Sequence, residues 1–433
     1  MAVSGVMSRV PERPGAFRTS AAAENAVPFW GLMCFTFVLF IAPQHFFPIL
    51  EPLRLAQTSA GLAAVAYLLN LIVTRRPVTV VTPEVRLALW FALVAVASIP
   101  FSLSPGGSLE HFVTVLLKSI IIFFLIANLV ETIEHLKLLI ASIVLYGSVI
   151  SVTALRNFAT GHTMSSDPSR ILGYSNQLAL NPVDLALTLN VILALTIGLY
   201  FVARRRLVKV LLLAGMALAL AGVIVSFSRG GFLALAVILS VLLARWYRAQ
   251  GLVVLLSASV LVVLGMLLTP EGYADRLYSV FDWDRDRAGS IQSRWQMAEV
   301  AFTSILENPL IGAGLGMDGR IYVEQGFRGE WVTHSVFLRV GADLGLPGLL
   351  VYVLLFVQML RGLRQTQRQL GPVPEAREVV ALANSLELAV CSFLVGAAFL
   401  PYAYGFLFYY LAGLAAAIRL IGARLTPSAS PTR

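Results

Sequence analysis

The feature that most constrains this chain is an apolar run of about twenty residues, the length a helix needs to cross the hydrocarbon core of a bilayer, repeated along nearly the whole sequence. Such runs lie near 27–43, 55–74, 85–102, 112–130, 136–155, 183–203, 207–225, 231–245, 251–268, 335–360, 379–400 and 403–420. They predict an all-α polytopic membrane protein of about twelve transmembrane helices, because a helix satisfies its own backbone groups where no water is present. Composition closes off the soluble alternative: of 433 residues 58% are hydrophobic and 13% charged, against about 25% charged in an ordinary soluble domain.

The formal charge of +9 would suggest nucleic acid in a soluble protein. Here the basic residues fall between apolar runs and form no stripe, so they read as topology and the bilayer is the expected partner, with no nucleic acid. Only Lys118, Lys137 and Lys209 are lysines, a bias toward arginine that weakens any argument from guanidinium geometry. Cys34 and Cys391 sit inside apolar runs without metal or redox spacing and read as small buried hydrophobes.

An even number of crossings returns the chain to its starting side. With a cytoplasmic N-terminus, about twenty basic residues fall on the inside, among them Arg75, Arg76, Arg86, Lys137, Arg204, Arg205, Arg206, Arg361, Arg364, Arg419 and Arg424. The expected organisation is a cytoplasmic tail over 1–26, a membrane domain over 27–425 and a cytoplasmic tail over 426–433. No small-residue cleavage site follows the first run, which reads as a retained anchor. This topology places the two longest connections, 157–182 and 269–334, on the outer face together. Loops longer than about 12–15 residues are usually functional or disordered, and the second, rich in aromatics and glycines, reads as one that folds.

Within that loop Ser290 or Ser293 can cap a helix whose apolar positions Trp295, Ala298, Ala301, Phe302, Ile305 and Leu306 fall at helical spacing, stopped by Asn308 and Pro309. Gln292, Arg294 and Glu299 would form its polar face. Two readings stay open: a helix lying along the membrane surface toward a ligand, and a helix that merely lids the bundle.

Arg170, Arg229, Arg294 and His334 each stand at or just beyond a predicted outer helix end. Charges near membrane depth are costly and mark functional sites, and arginine suits phosphate by paired hydrogen bonds. Arg229 lies in Ser226-Phe227-Ser228-Arg229-Gly230-Gly231, where Ser228 and Gly230 would let a bulky headgroup approach the backbone; a plain helical hairpin with a snorkelling arginine is the other reading. Arg170 leads into a polar segment with Gly173 and Asn176 that could read sugar hydroxyls or simply be solvated. His334 begins the next membrane helix, at a boundary suited to a general base, although most single histidines are structural. Arg339 and Asp343 follow it at a spacing that permits an intrahelical pair.

Two motifs fail on inspection. Asp282, Asp284 and Asp286 lack the glycine and the terminal acid of a calcium loop, so no metal is expected there. Gly312-Ala313-Gly314-Leu315-Gly316 follows no predicted strand and opens no dinucleotide-binding unit.

In order along the chain, Arg170 with the 173–181 segment, Ser228-Arg229-Gly230-Gly231, Asn308-Pro309-Leu310-Ile311-Gly312-Ala313-Gly314-Leu315-Gly316, and His334-Ser335-Val336-Phe337-Leu338 with Gly345-Leu346-Pro347-Gly348 resemble the O-antigen ligase and O-antigen polymerase superfamily of bacterial envelope glycosyltransferases. The resemblance implies a GT-C-like membrane fold with one long, partly helical periplasmic loop, and a metal-independent transferase without cofactors in the bacterial inner membrane. It implies that an undecaprenyl diphosphate-linked glycan is the donor and a glycan or lipid A-core the acceptor. By the same resemblance Arg229 and Arg294 would hold the diphosphate, Arg170 would assist at donor or acceptor, and His334 would orient or deprotonate the acceptor hydroxyl. Ser335 departs from the family, which often has asparagine there. Polymerisation of surface polysaccharide repeats is the first expectation and ligation to lipid A-core the alternative, with a chain-length regulator or flippase as possible partners. A twelve-helix secondary transporter is the reading from another class. It would call for two similar halves and polar groups at mid-membrane, whereas the unusual polar residues here gather toward one face.

Overall fold

The computed structural model describes residues 26–75, 78–164, 167–176, 178–244, 290–327, 331–400 and 402–426. Almost all of this is helical. In chain order the helices are α1 (Ala26–Ile41), α2 (Leu55–Thr74), α3 (Pro83–Ser98), α4 (Pro105–His111), α5 (Leu117–Leu129), α6 (Ile133–Ala159), α7 (Pro182–Val202), α8 (Arg206–Val225), α9 (Arg229–Ala244), α10 (Ser290–Glu307), α11 (Asp318–Glu324), α12 (Val336–Leu370), α13 (Arg377–Ala397) and α14 (Phe406–Leu425). A short antiparallel hairpin, β1 (Thr163–Met164) with β2 (Asp167–Ile171), follows α6. A π-helical turn, Phe112–Leu116, joins α4 to α5 into one continuous span.

Among the described residues nine helical spans are long and apolar enough to cross a membrane, and α1 and α9 are shorter apolar helices. Each matches one of the runs read from the sequence. The run at 251–268 and the acidic residues Asp282, Asp284 and Asp286 lie outside the described residues.

The helices differ in how much of their surface is enclosed. About 78% of the apolar windows of α7 and α14 is buried, against 17% for the span ending in α2 and 22% for α8. The core is therefore α7, α13, α14 and α12, with α7 packed on α13 and α8, α12 on α13, α3 and α14, and α14 on α5. Small residues allow these close approaches, as expected where packing rather than water expulsion joins helices. A methyl group at Gly198 of α7 would lie 2.1 Å from the Ser385 hydroxyl of α13, and one at Gly413 of α14 would lie 2.8 Å from Ile126 of α5.

Both ends of the bundle can be identified from contacts. Phe29 near the start of α1 stacks on His135 at the start of α6, with centroids 4.0 Å apart. At that same end Arg419 of α14 reaches Glu84 of α3 and Arg424 reaches Glu131. The described chain therefore begins and ends on one side. At the opposite side gather the 160–181 connection, α10, α11 and the start of α12; this is called the site end below.

α12 is not one straight rod. Gly345 has φ 66 and ψ −170, which breaks the helix just before Pro347, and a residue with a Cβ would be strained there. A break inside a membrane is tolerated only where protein covers the freed backbone. The glycine-rich loop supplies that cover: the Ala313 and Gly314 N–H groups donate to the Ala342 and Asp343 carbonyls at 2.8 and 2.9 Å, and the Leu346 N–H donates to Pro309 at 2.7 Å. The same loop is tied to the α3–α4 turn, where Leu103 N–H donates to the Ala313 carbonyl at 2.9 Å and the Ser108 hydroxyl to Leu315 at 2.9 Å.

Candidate active site

α10 begins at Ser290 and ends before Asn308 and Pro309, as its stop signals suggest, and of the apolar positions read from the sequence only Ala301 and Ile305 lie on its buried face. Met297, Val300, Ala301 and Ile305 are enclosed and pack with Ala313, Tyr322 and Ala342, whereas Trp295, Phe302 and Leu306 stay exposed. Helical spacing gave this amphipathic helix two apolar stripes, and α11 and α12 cover only one. Arg294 lies one turn before Met297 and is partly buried.

His334 follows directly on the last residues of the long connection and precedes the first turn of α12. Burial pushes its imidazole down to about 4, and the positive charges of Arg294 and then Arg170 press the same way against the opposing influence of Asp318. The structure thus brings together three residues from three separate stretches of sequence: Arg170 on β2, Arg294 on α10 and His334. A fourth, Asp318, carried no signal in the sequence beyond being an acid near the start of a short loop helix.

Arg339 and Asp343 form the expected pair one turn apart, Nε to Oδ2 at 3.8 Å, but the nearer partner of Arg339 is Asp318, at 3.0 Å from Nη2. Asp343 is wholly buried and accepts a hydrogen bond from the Tyr404 hydroxyl at 2.9 Å. Tyr404 in turn stands edge-on to His111 of α4, with centroids 5.5 Å apart, and carries the Arg339 guanidinium 5.6 Å above its ring. One largely enclosed arginine shared by two buried carboxylates is a costly arrangement. Sequence reasoning passed over His111 and Tyr404; the signal available was that each is a polar aromatic within or beside an apolar run.

Arg170 is positioned by the hairpin, where Thr163 pairs with Ile171. Beyond it the chain turns back on itself through hydrogen bonds from the Gly173 and Tyr174 N–H groups to Leu180 and Ala179. Asn176 is fully used in this turn: its amide donates to the Phe40 carbonyl at 2.6 Å while its oxygen accepts from the Leu178 and Ala179 N–H groups. Together with the Tyr174 hydroxyl, which donates to Ile41 at 2.7 Å, it caps the last carbonyls of α1. The structure gives Asn176 a supporting place in the fold. Arg170 also acts electrostatically on Asp184 at the start of α7, toward which the Tyr402 hydroxyl is directed.

Arg229 opens α9 at the site end, directly after the turn at Ser226–Ser228. Ser228 is buried and its hydroxyl accepts from the Gly231 N–H at 3.1 Å, which starts the helix. Space beside the two glycines is taken by protein: a methyl group at Gly230 would lie 3.2 Å from Phe399 and one at Gly231 would lie 2.4 Å from Ala186. Ser228 and Gly230 therefore sit in helix packing, with Phe227 left-handed at φ 51 at the corner of the turn. Through Phe399 this turn touches the connection between α13 and α14, the same connection whose Tyr404 reaches Asp343.

Residues 214–353 match a family model described as O-antigen ligase. No curated protein is significantly similar to the chain. The match spans about a third of the sequence and contains Arg229, Arg294, Asp318, His334, Arg339, Asp343 and Gly345, while Arg170 precedes it. The segment from α8 into α12, which carries Arg294, Asp318 and His334, is thus similar to the O-antigen ligase family.

Proposed function

We propose that the protein moves a glycan from an undecaprenyl diphosphate carrier to an acceptor hydroxyl at the site end, and that this end is the periplasmic face of a bacterial inner membrane. Glycan transfer of the O-antigen ligase and polymerase type, on lipid-linked substrates, follows from the family. The observation that carries the finer reading is the convergence of Arg170 and Arg294 on a half-buried His334 whose imidazole is held below its ordinary basicity by burial and by those two cations. In the transfer, the acceptor oxygen bonds to the anomeric carbon and the bond from that carbon to the diphosphate breaks. The diphosphate departs with one more negative charge, and the acceptor proton passes to the His334 imidazole. Fixed guanidinium groups beside the departing diphosphate stabilise that charge without reorganisation.

The low basicity of His334 in the free protein fits this sequence of events. Its imidazole is depressed partly by two cations, and a bound diphosphate offsets their charge. The base then strengthens once the donor is seated.

The acceptor we propose first is the growing end of another repeat unit, which makes the protein a surface-polysaccharide polymerase. Ligation to lipid A-core is the second reading, favoured by the description of the matching family. The test is purified protein with undecaprenyl diphosphate-linked repeats, with and without lipid A-core, read by mass. A ladder without lipid A-core is the expected result; transfer only in its presence replaces the polymerase with a ligase; inertness in both, with substrate-driven ion flux in proteoliposomes, replaces both with a transporter. Replacing Arg229 or His334 with alanine should abolish product while leaving protein in the membrane, and product at the wild-type level from both would remove them from the chemistry.

A further inference from the structure

The side chains around His334 form a connected line with α11 at its centre. Tyr322 on α11 donates its hydroxyl proton to the Met297 carbonyl of α10 at 3.1 Å. With that proton committed, the 2.7 Å contact between the Tyr322 oxygen and the Thr333 hydroxyl is donated by Thr333. The Thr333 N–H then donates to Asp318 Oδ2 at 3.1 Å, and the other Asp318 oxygen meets Arg339 at 3.0 Å. Tyr322, Thr333 and Asp318 are all buried.

This line joins two places that matter for the reading above. Met297 is one turn along α10 from Arg294, and Thr333 is the residue before His334. α11 has only seven residues and joins neither of them in sequence, yet its Tyr322 bonds to both Met297 and Thr333, and its Asp318 bonds to Thr333 as well. We infer that α11 is a positioning clamp: Tyr322 and Asp318 fix the spacing between the diphosphate-holding Arg294 and the imidazole of His334, without either touching substrate. The inference rests on the transferase reading for the roles of Arg294 and His334, and on the hydrogen bonds alone for the clamp.

The geometry explains why such a clamp is needed. His334 sits at a bend outside the first turn of α12, next to Ser335 at φ −153 and ψ 123, so no helix holds it. A reacting group displaced by about 1 Å loses on the order of a hundredfold in rate. The Thr333 N–H and hydroxyl are the nearest handles by which that backbone can be fixed, and α11 takes both.

Tyr322→Phe keeps the ring, which packs edge-on against Phe327 at 6.1 Å, and removes both hydroxyl bonds. Asp318→Asn keeps an acceptor for the Thr333 N–H and removes the charge facing Arg339. Two readouts are taken on the full-length protein in detergent. The first is steady-state transfer with donor and acceptor varied separately, beside His334→Ala. We expect kcat to fall about tenfold in Tyr322→Phe with the KM for donor within twofold of wild type and the melting temperature unchanged. The second uses no substrate: the rate at which diethylpyrocarbonate modifies His334, read by mass spectrometry against the exposed His45, should rise several-fold in Tyr322→Phe. Because this arm reads the histidine alone, it decides the clamp even where no transfer is seen. Wild-type kcat and wild-type labelling in Tyr322→Phe overturn the clamp and leave the transferase reading standing if His334→Ala is dead. A fall in activity that only tracks loss of folded protein also overturns it. Transfer by His334→Ala at the wild-type rate removes the transferase reading instead, and labelling still decides the clamp.

Discussion

The two ends of the bundle both carry ion pairs, and they are built differently. At the end where the described chain begins and finishes, three pairs join one regular helical segment to another. Arg419 of α14 meets Glu84 of α3 at 2.8 Å, Arg364 of α12 meets Glu387 of α13 at 2.7 Å, and Lys137 of α6 meets Glu378 at 2.8 Å. At the site end, Asp318, Arg339 and Asp343 join a loop helix to a broken helix, and their remaining bonds go to non-helical backbone at Thr333 and to Tyr404. Pairs of the first kind set the relative position of rods that would be helical anyway. Pairs of the second kind decide the shape of backbone that has no regular structure of its own, which is where reacting groups have to be placed.

The largest expected effect tests the costlier arrangement. Arg339→Met leaves two buried carboxylates without their cation, a loss of about 5 kcal/mol at the upper end for a broken buried pair, so little folded protein should be recovered in detergent. Recovery of folded, active protein would mean the carboxylates are held by other groups and the contrast between the ends is overdrawn.

Arg419→Met at the opposite end leaves only Glu84 stranded, and Arg419 itself is partly exposed. A loss of about 3 kcal/mol should appear as a lower melting temperature, with transfer per folded molecule unchanged. A fall in kcat would show that this end too shapes the site.

Gly345→Ala places a Cβ at φ 66 and 2.7 Å from the Pro309 carbonyl. A cost of about 2 kcal/mol follows from a positive-φ backbone that essentially only glycine adopts, and transfer should fall more than stability, because the glycine-rich loop and α12 must part. Equal losses would make the break in α12 a packing feature only.

Arg294→Gln should lower kcat/KM, because Arg294 is proposed to hold the diphosphate, and should also shift the pH profile of the activity that remains. If His334 takes the acceptor proton, as proposed, activity fails as pH drops through its value, about 4 in the free protein. Removing one of the cations that depress it raises that value, and the acid limb of kcat/KM moves to higher pH, toward the ordinary 6.5. An unmoved limb would separate Arg294 from His334.

The smallest effect belongs to Glu378→Ala, a partly exposed carboxylate whose partners Lys137 and Arg204 are 31% and 88% exposed. At most about 1 kcal/mol is expected from such a pair, measured by the melting temperature, with no change in transfer.

The sequence was most legible where the bilayer imposes a rule. Every described apolar run became a helix, most within a few residues of their expected bounds while α12 runs on to Leu370 and the fourth span starts at Pro105, and the 312–316 glycines fold as a loop. It was less legible in α10, where spacing alone could not say which of two apolar stripes α12 would cover. Asn176, Ser228 and Gly230 read as polar or open positions in sequence, but Asn176 caps α1, Ser228 starts α9 and Gly230 meets Phe399. Each of those partners comes from a distant element, so no local pattern could announce it.

By itself the sequence determined that the chain is a bundle of membrane helices, where they begin and end, and that its unusual arginines and His334 fall together toward one side. Those properties follow from local length, hydropathy and charge, which act on each segment before it meets any other. Only the tertiary structure decided that Asp318 stands between Thr333 and Arg339, that Tyr322 ties α10 to the residue before His334, and that the glycine-rich loop closes the break at Gly345. These are contacts between segments far apart in the chain, fixed by which surfaces pack and which buried polar groups must find partners once water is excluded.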